Sequence, residues 1–374
     1  MKQDAKDFLY ELLNTPSPTG FEQDIQAVVR RRMEPYADSI ETDLHGNVIV
    51  GLNTKATRRV MLAGHCDQIG FMVRHITRDG FVYLAPLGGI DAGVVPAAHV
   101  TIYGSDGPVH GVVGRKPIHL QSAEEREKGR IDLDKVWVDI GAKNQKEAER
   151  RIGVGDPVVY RPGVLELGED LISSPGLDNR VGLYVAMEAL RLCAARKIAV
   201  ALYAVSTVQE EVGLRGARTA AYAIDPEVGI AIDVTHTSDN PGNDNSRAVP
   251  CHLGGGPCFS RGPNTNPVVA ELLFSAAAKL KLPHQPAPTH QLLSNDANAI
   301  QVSRRGVATG SIGIPNRYMH TQVEVCSLSD IEHAARVLAQ FVASITPQTD
   351  FRPMGSMVRT AAKSRNRKRS RPKR

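Results

Sequence analysis

The chain has 374 residues, of which 42% are hydrophobic, and a formal net charge of +5. That length and apolar content suit two or three globular domains, and no apolar run approaches the roughly 20 residues of a membrane-spanning helix. Ten Lys or Arg and no Asp or Glu fall within residues 351–374, so the rest of the chain carries a net charge of −5 and the basic balance belongs to its end.

MKQDAKDFLYELL alternates charged and apolar residues as an amphipathic helix does, without the apolar stretch and cleavage site of a signal peptide. TPSPTG interrupts it, and EQDIQAVVRRRM resumes the helical period to about residue 35. Strand-like NVIVGL and RRVMLAG follow. From 70 to 164 the texture changes to short β-rich segments such as FMVRHI, FVYLAPL, HVTIYG and VHGVVG. They are separated by turn signals at RDG and SDG, with a helical KNQKEAERRI among them.

After residue 165 helices and buried strands alternate. LDNRVGLYVAMEALRLCAARK, GARTAAYAI, NPVVAELLFSAAAKLKL and NDANAIQVSRRG read as helices; IAVALYAVST, EVGIAIDV and ATGSIGIP read as strands. Continuous apolar strands alternating with helices predict an α/β fold with a mostly parallel sheet flanked by helices. The expected organisation is one α/β domain from residues 1–69 and 165–349, interrupted by a β-rich insert over 70–164 with a barrel as its form. A disordered basic tail follows over 350–374. The tail is compatible with a weak contact to nucleic acid or another polyanion, and more readily with a solubilising or incidental extension. Five cysteines, an odd number without a C-x-x-C pair, read as free thiols in a reducing cytoplasm.

Ligands of open α/β sheets gather at the carboxyl ends of strands. His65-Cys66-Asp67 follows VMLAG, Glu210-Glu211 follows ALYAVSTVQ, Asp233 and His236 follow GIAI, and His320 follows SIGIPNRYM; Asp178 stands at a helix start. Adjacent carboxylates repel, and a carboxylate near a core costs desolvation. Glu210-Glu211 therefore marks either a bound cation or a solvated strand end. Asp178 and Asp233 are also readable as caps. Taken together, the oxygen and nitrogen donors suit zinc, cobalt or manganese, and the surplus of carboxylates suits two ions about 3.5–4 Å apart. Asp67, two residues from His65, suits a carboxylate that orients the imidazole. Glu211 is then a ligand and Glu210 the general base, an order that spacing alone does not fix.

GHCDQIGFMV, LDNRVG, QEEVGLRGA, AIDVTH, LGGGP and RYMHTQVEV, in this order, resemble the signatures of the tetrahedral (TET-type) metallo-aminopeptidases. That family includes glutamyl, leucyl and lysyl aminopeptidases and proteins also labelled cellulase M or endoglucanase. The resemblance spans about residues 3–346. It implies two divalent ions per subunit, with His65 and Asp233 on one, Glu211 and His320 on the other, and Asp178 bridging. It further implies Glu210 as general base, Asp67 as the histidine-orienting carboxylate, peptide substrates, and a homo-oligomer built from dimers through the insert, in some members a tetrahedral dodecamer. Gln68, Pro175-Gly176 and Ser294-Asn295 depart from the family's usual residues, which bears on specificity. Arg317, Asp296 and His236 are candidate substrate neighbours; a structural role for Arg317 stands equally open.

The expected function is metal-dependent removal of N-terminal residues from peptides. The alternatives are a deacylase of acyl-amino acids on the same site, an endoglucanase as in the older label, and a non-catalytic protein binding nucleic acid through its tail.

Overall fold

The computed structural model describes residues 1–127, 131–243 and 249–353. Its main sheet has eleven strands, nine on one path and two, Cys258–Arg261 and Gln285–Pro288, off it. The path runs Ser39–Thr42, Val48–Leu52, Ala201–Thr207, Arg59–His65, Val228–His236, Ala308–Arg317, Val325–Ser327, Leu171–Ser173, Leu165–Leu167. The four central strands are parallel, with Leu202 and Val228 both opposite Val60 and Ala308 opposite Val228. Antiparallel strands flank them on both sides.

Burial on two faces explains the unbroken apolar runs. In Arg59–His65, Val60 and Leu62 enter the large core beneath helices Gln3–Asn14, Leu177–Ala194 and Leu328–Ser344. Met61 and Ala63 enter a smaller core beneath Arg215–Ile224 and Asp296–Gln301. The fold class is the one expected. The Leu328–Ser344 helix is an addition to the expected elements. Its side chains Ile331, Ala334, Ala335, Leu338 and Phe341 are buried at helical spacing, and Ser327 caps it by accepting the Asp330 N–H.

Strands Gly70–Ile76, Val82–Leu87, Val136–Asp139, Gly107–Arg115, His99–Gly104 and Pro157–Tyr160 close into a six-stranded barrel. The barrel has a core of its own, including Phe71, Val73, Ile102, Val138 and Val158. At the other end of the chain, Phe351 is only 4% exposed and lies under the Arg58 guanidinium, and its carbonyl accepts from Asn266. The packed body thus extends past residue 349; residues 354–374 of the expected tail lie outside the described residues. Among the described residues no helix is long and apolar enough to cross a membrane. All five cysteines are buried and free.

Candidate metal and active site

His65 ends the strand Arg59–His65 and is 2% exposed. The residue before it is Gly64, where a Cβ would fall on the backbone of Gly182. That close approach seats the start of the Leu177–Ala194 helix against the strand end. Asp178 and Asn179 precede the regular helical turns, with non-helical φ/ψ of −76/107 and −124/41. Asn179 Oδ1 accepts the Gly182 N–H at 3.0 Å, and its amide donates to the Ile232 carbonyl at 2.8 Å. Capping therefore falls to Asn179, and the carboxylate of Asp178 faces the cavity instead.

There Asp178 lies between two histidines. Oδ1 is 3.3 Å from Nε2 of His65, and Oδ2 is 3.2 Å from Nε2 of His320. Asp233 Oδ1 is 3.8 Å from Nε2 of His65, and Glu211 Oε1 is 3.5 Å from Nε2 of His320. Two groups of donor atoms result, His65–Asp178–Asp233 and Asp178–Glu211–His320, each gathered within 4.8 Å and both containing Asp178. Glu210 stands beside the first group, 3.9 Å from His65, and belongs to neither.

Glu210 and Glu211 lie at the start of a turn. The Glu210 carbonyl accepts from Gly213 and Leu214, and Gln209 before it has φ of +54°. Asp67 fastens this turn. Its Oδ1 accepts the Glu210 N–H at 3.0 Å; its Oδ2 accepts the Glu211 N–H at 3.2 Å and the Thr19 hydroxyl at 2.9 Å. His65 Nδ1 is nearest the Asp67 backbone carbonyl, at 3.0 Å, with the carboxylate at 3.4 Å. The expected histidine-orienting contact is thus made chiefly by the main chain of Asp67, while its carboxylate holds the glutamates.

The cluster favours added positive charge. Burial pushes Glu210 up to about 10 against the opposing pull of His65, with Asp233, Asp296 and Glu211 adding to the rise. Burial pushes Glu211 up to about 7 and raises Asp233. Burial would raise Asp178 too, but hydrogen bonds from His320 and His65 hold it below the usual carboxylate range. Asp178 and Glu211 pull His320 up to about 11. Protons thus sit where cations would neutralise the same carboxylates. The buried Glu211 Oε1 has no hydrogen-bond partner, with His320 Nε2 3.5 Å away. An orphaned carboxylate oxygen beside two histidines and a shared aspartate fits divalent ions.

The donors line a cavity of about 690 Å³, together with His236, Cys258, Ser260, Thr289, Leu293, Ser294, Asn295 and Ser311. His236 is exposed at its rim. Arg317 is not in the lining. It forms a two-pronged ion pair with Asp239 at 3.0 and 2.8 Å, the structural role that the sequence leaves open beside a place near substrate. Asp296 is also outside the lining: it is 3% exposed and accepts the Thr207 hydroxyl at 2.6 Å, and burial raises it to about 6. Its neighbour Asn295 does face the cavity. Gln68 and Pro175 serve the fully buried Arg180. The Arg180 guanidinium donates to Gln68 Oε1, the Thr15 and Pro175 carbonyls and the Ser17 hydroxyl. Glu324 is absent from the sequence-derived candidates. It is 1% exposed, and its two oxygens accept the backbone N–H groups of Asp178 and His320. A lone glutamate between two valines, four residues after a site histidine, was the available signal.

A mostly parallel sheet with a donor cluster at its strand ends and an inserted barrel is an α/β fold shared with solved aminopeptidases. The solved TET aminopeptidase from the marine sediment archaeon Thaumarchaeota archaeon SCGC AB-539-E09 superposes with a TM-score of 0.87 at 31% identity, covering 92% of this chain and 97% of that one. The chain belongs to the M42 glutamyl aminopeptidase family, whose profile matches residues 46–337. The lysyl aminopeptidase of Pyrococcus furiosus is 37% identical over 352 residues, 93% of this chain and 99% of that protein. The TET1 peptidase of Pyrococcus horikoshii, described as assembling into a tetrahedron or a large octahedral shell, is 28% identical. It superposes with a TM-score of 0.80 over 91% of this chain and 100% of that one.

Proposed function

We propose that the chain is a dinuclear metallo-aminopeptidase that releases N-terminal residues from peptides. The observation that carries this reading is the sharing of Asp178 between the two donor groups. His65, Asp178 and Asp233 would hold one ion, and Asp178, Glu211 and His320 the other, as zinc, cobalt or manganese. When bound, two such ions supply Lewis acidity for the attacking water and the scissile carbonyl. Glu210, beside the donors and outside both groups, accepts the proton of the water through its carboxylate and returns it to the leaving amine. Asp67 holds Glu210 and Glu211 in place through their N–H groups. The assignment of Glu210 as base and Glu211 as ligand, open in the sequence, is supported by these placements.

The barrel over residues 70–164 is proposed as the dimerisation unit of a homo-oligomer, on the strength of the relatives that form closed shells. A cytoplasmic location and polyanion contact by the basic tail complete the reading. Deacylation of acyl-amino acids would use the same donors but a blocked amine. Glycoside cleavage needs a carboxylate pair set by distance and no metal. The test is hydrolysis of aminoacyl, acyl-aminoacyl and glucan substrates with added zinc, cobalt or manganese, with and without chelator. Chelator-sensitive, metal-restored release of a free amino acid is expected. Cleavage of only acyl-amino acids, or chelator-resistant cleavage of glucan, would move the assignment.

A further inference from the structure

Resting on the two-ion reading above, we propose that Glu324 is a positioning residue that fixes Asp178 and His320 relative to each other as metal donors. One carboxylate spans two segments. Oε2 accepts the N–H of Asp178 at 2.8 Å, ahead of the Leu177–Ala194 helix. Oε1 accepts the N–H of His320 at 2.9 Å, in the loop between strands Ala308–Arg317 and Val325–Ser327. The Glu324 carbonyl also accepts from Ser174, tying its own backbone to the segment before Asp178.

The clamp acts where the chain needs it. His320 has φ of +62° and Tyr318 φ of +60°, a left-handed conformation that residues with side chains rarely adopt. An acceptor aimed at the His320 N–H supports that conformation and hence the direction of the imidazole. Asp178 is likewise non-helical at a helix start, so its N–H has no partner within the helix and is satisfied by Glu324 instead. Burying a second carboxylate close to Asp178 is unfavourable on its own. A carboxylate is nonetheless the side chain that offers two equivalent acceptors; a glutamine turns an NH2 group toward one of the two N–H donors.

The test is titration of metal-free full-length protein with cobalt(II), followed by the visible absorption of the bound ion and by metal analysis. Wild type is expected to bind two equivalents. E324Q is expected to bind the ion at Asp178–Glu211–His320 about 10–100-fold more weakly, with a changed cobalt spectrum and with turnover restored by excess metal. A merely structural role would lower the unfolding temperature of the metal-free protein and leave both affinities and the spectrum as in wild type; that result overturns the proposal. Should E324Q not fold, Glu324→Asp, which keeps two oxygens one methylene short, is titrated instead. Weakened binding is again expected, and wild-type affinity overturns the proposal. Wild type binding fewer than two ions would sink the two-ion reading itself and this proposal with it, an outcome distinct from a variant that binds like wild type.

Discussion

Asp67 accepts the backbone N–H of Glu210 at 3.0 Å, which ties the first of two adjacent glutamates to the residue two past His65. The same carboxylate takes the N–H of Glu211 and the hydroxyl of Thr19. Two neighbouring strand ends are thereby locked together, and the glutamate pair is held in a turn whose side chains separate. One joins Asp178 and His320; the other remains free beside His65.

Replacing Glu210 by Gln keeps the shape of the side chain and removes its ability to take a proton. Turnover is expected to fall by about 10²–10⁴, with metal content unchanged. Paired measurement of kcat and bound metal checks this. Near-normal turnover would reassign the base.

Asp178 and Asp233 should differ in metal stoichiometry. Asp178 belongs to both donor groups and Asp233 to one. Asp178→Ala is expected to lose both ions, whereas Asp233→Ala loses tight binding at the His65 position and keeps the ion at Glu211 and His320. Metal analysis after gel filtration distinguishes them. Equal loss in both variants would contradict a shared bridging carboxylate.

The metal-free protein should lose stability as pH rises. Glu22 and Glu211 are pushed up to about 7 and Glu210 to about 10, chiefly by burial. Each keeps its proton in the fold at a pH where the unfolded chain, near 4.5, has released it. The folded state therefore binds more protons across this window, and stability declines from about pH 4.5 upward. His320, raised to about 11 by Asp178 and Glu211, contributes with the same sign above its unfolded value of about 6.5. The unfolding temperature without metal is expected to be lower at pH 8 than at pH 5.5. Added zinc should raise it more at pH 8, where fewer protons compete for the donors. Thermal melts at both pH values, with and without zinc, check the sign.

Side-chain preference should follow the cavity lining. Beyond the donor cluster and His236, Ser260, Thr289, Leu293, Ser294, Asn295 and Ser311 present neutral surface, and no other Lys, Arg, Asp or Glu lines the cavity among the described residues. A charged N-terminal side chain would lose water there without an opposite charge to replace it. Neutral N-terminal residues are expected to exceed Lys and Glu in kcat/KM by about tenfold or more. A panel of aminoacyl substrates measures this directly.

The gathering of His65, Asp178, Glu211, Asp233 and His320 was legible because each stands at the end of a strand-like run or the start of a helical one, and the carboxyl ends of strands are where an open sheet gathers chemistry. His65 after VMLAG and Asp233 after GIAI are of this kind. What the sequence left hidden depends on partners far along the chain. The partner that holds Arg317 away from the cavity, Asp239, lies 78 residues earlier in the chain. Gln68 completes the set of acceptors around buried Arg180, 112 residues further on. Glu324 carries no local pattern, because its two partners come from separate segments. The turn at Glu210 likewise rests on Asp67, 143 residues away. Phe351 follows a polar stretch, and only the packed structure shows that the body reaches it.

The most direct test compares one peptide in two forms, with a free and with an acetylated N-terminus, digested by the metal-loaded protein and followed by mass spectrometry. Stepwise loss of single residues from the free peptide is expected, none from the acetylated one, and neither reaction after chelation. Cleavage of the acetylated peptide at equal rate, or digestion that survives removal of all metal, would contradict that expectation.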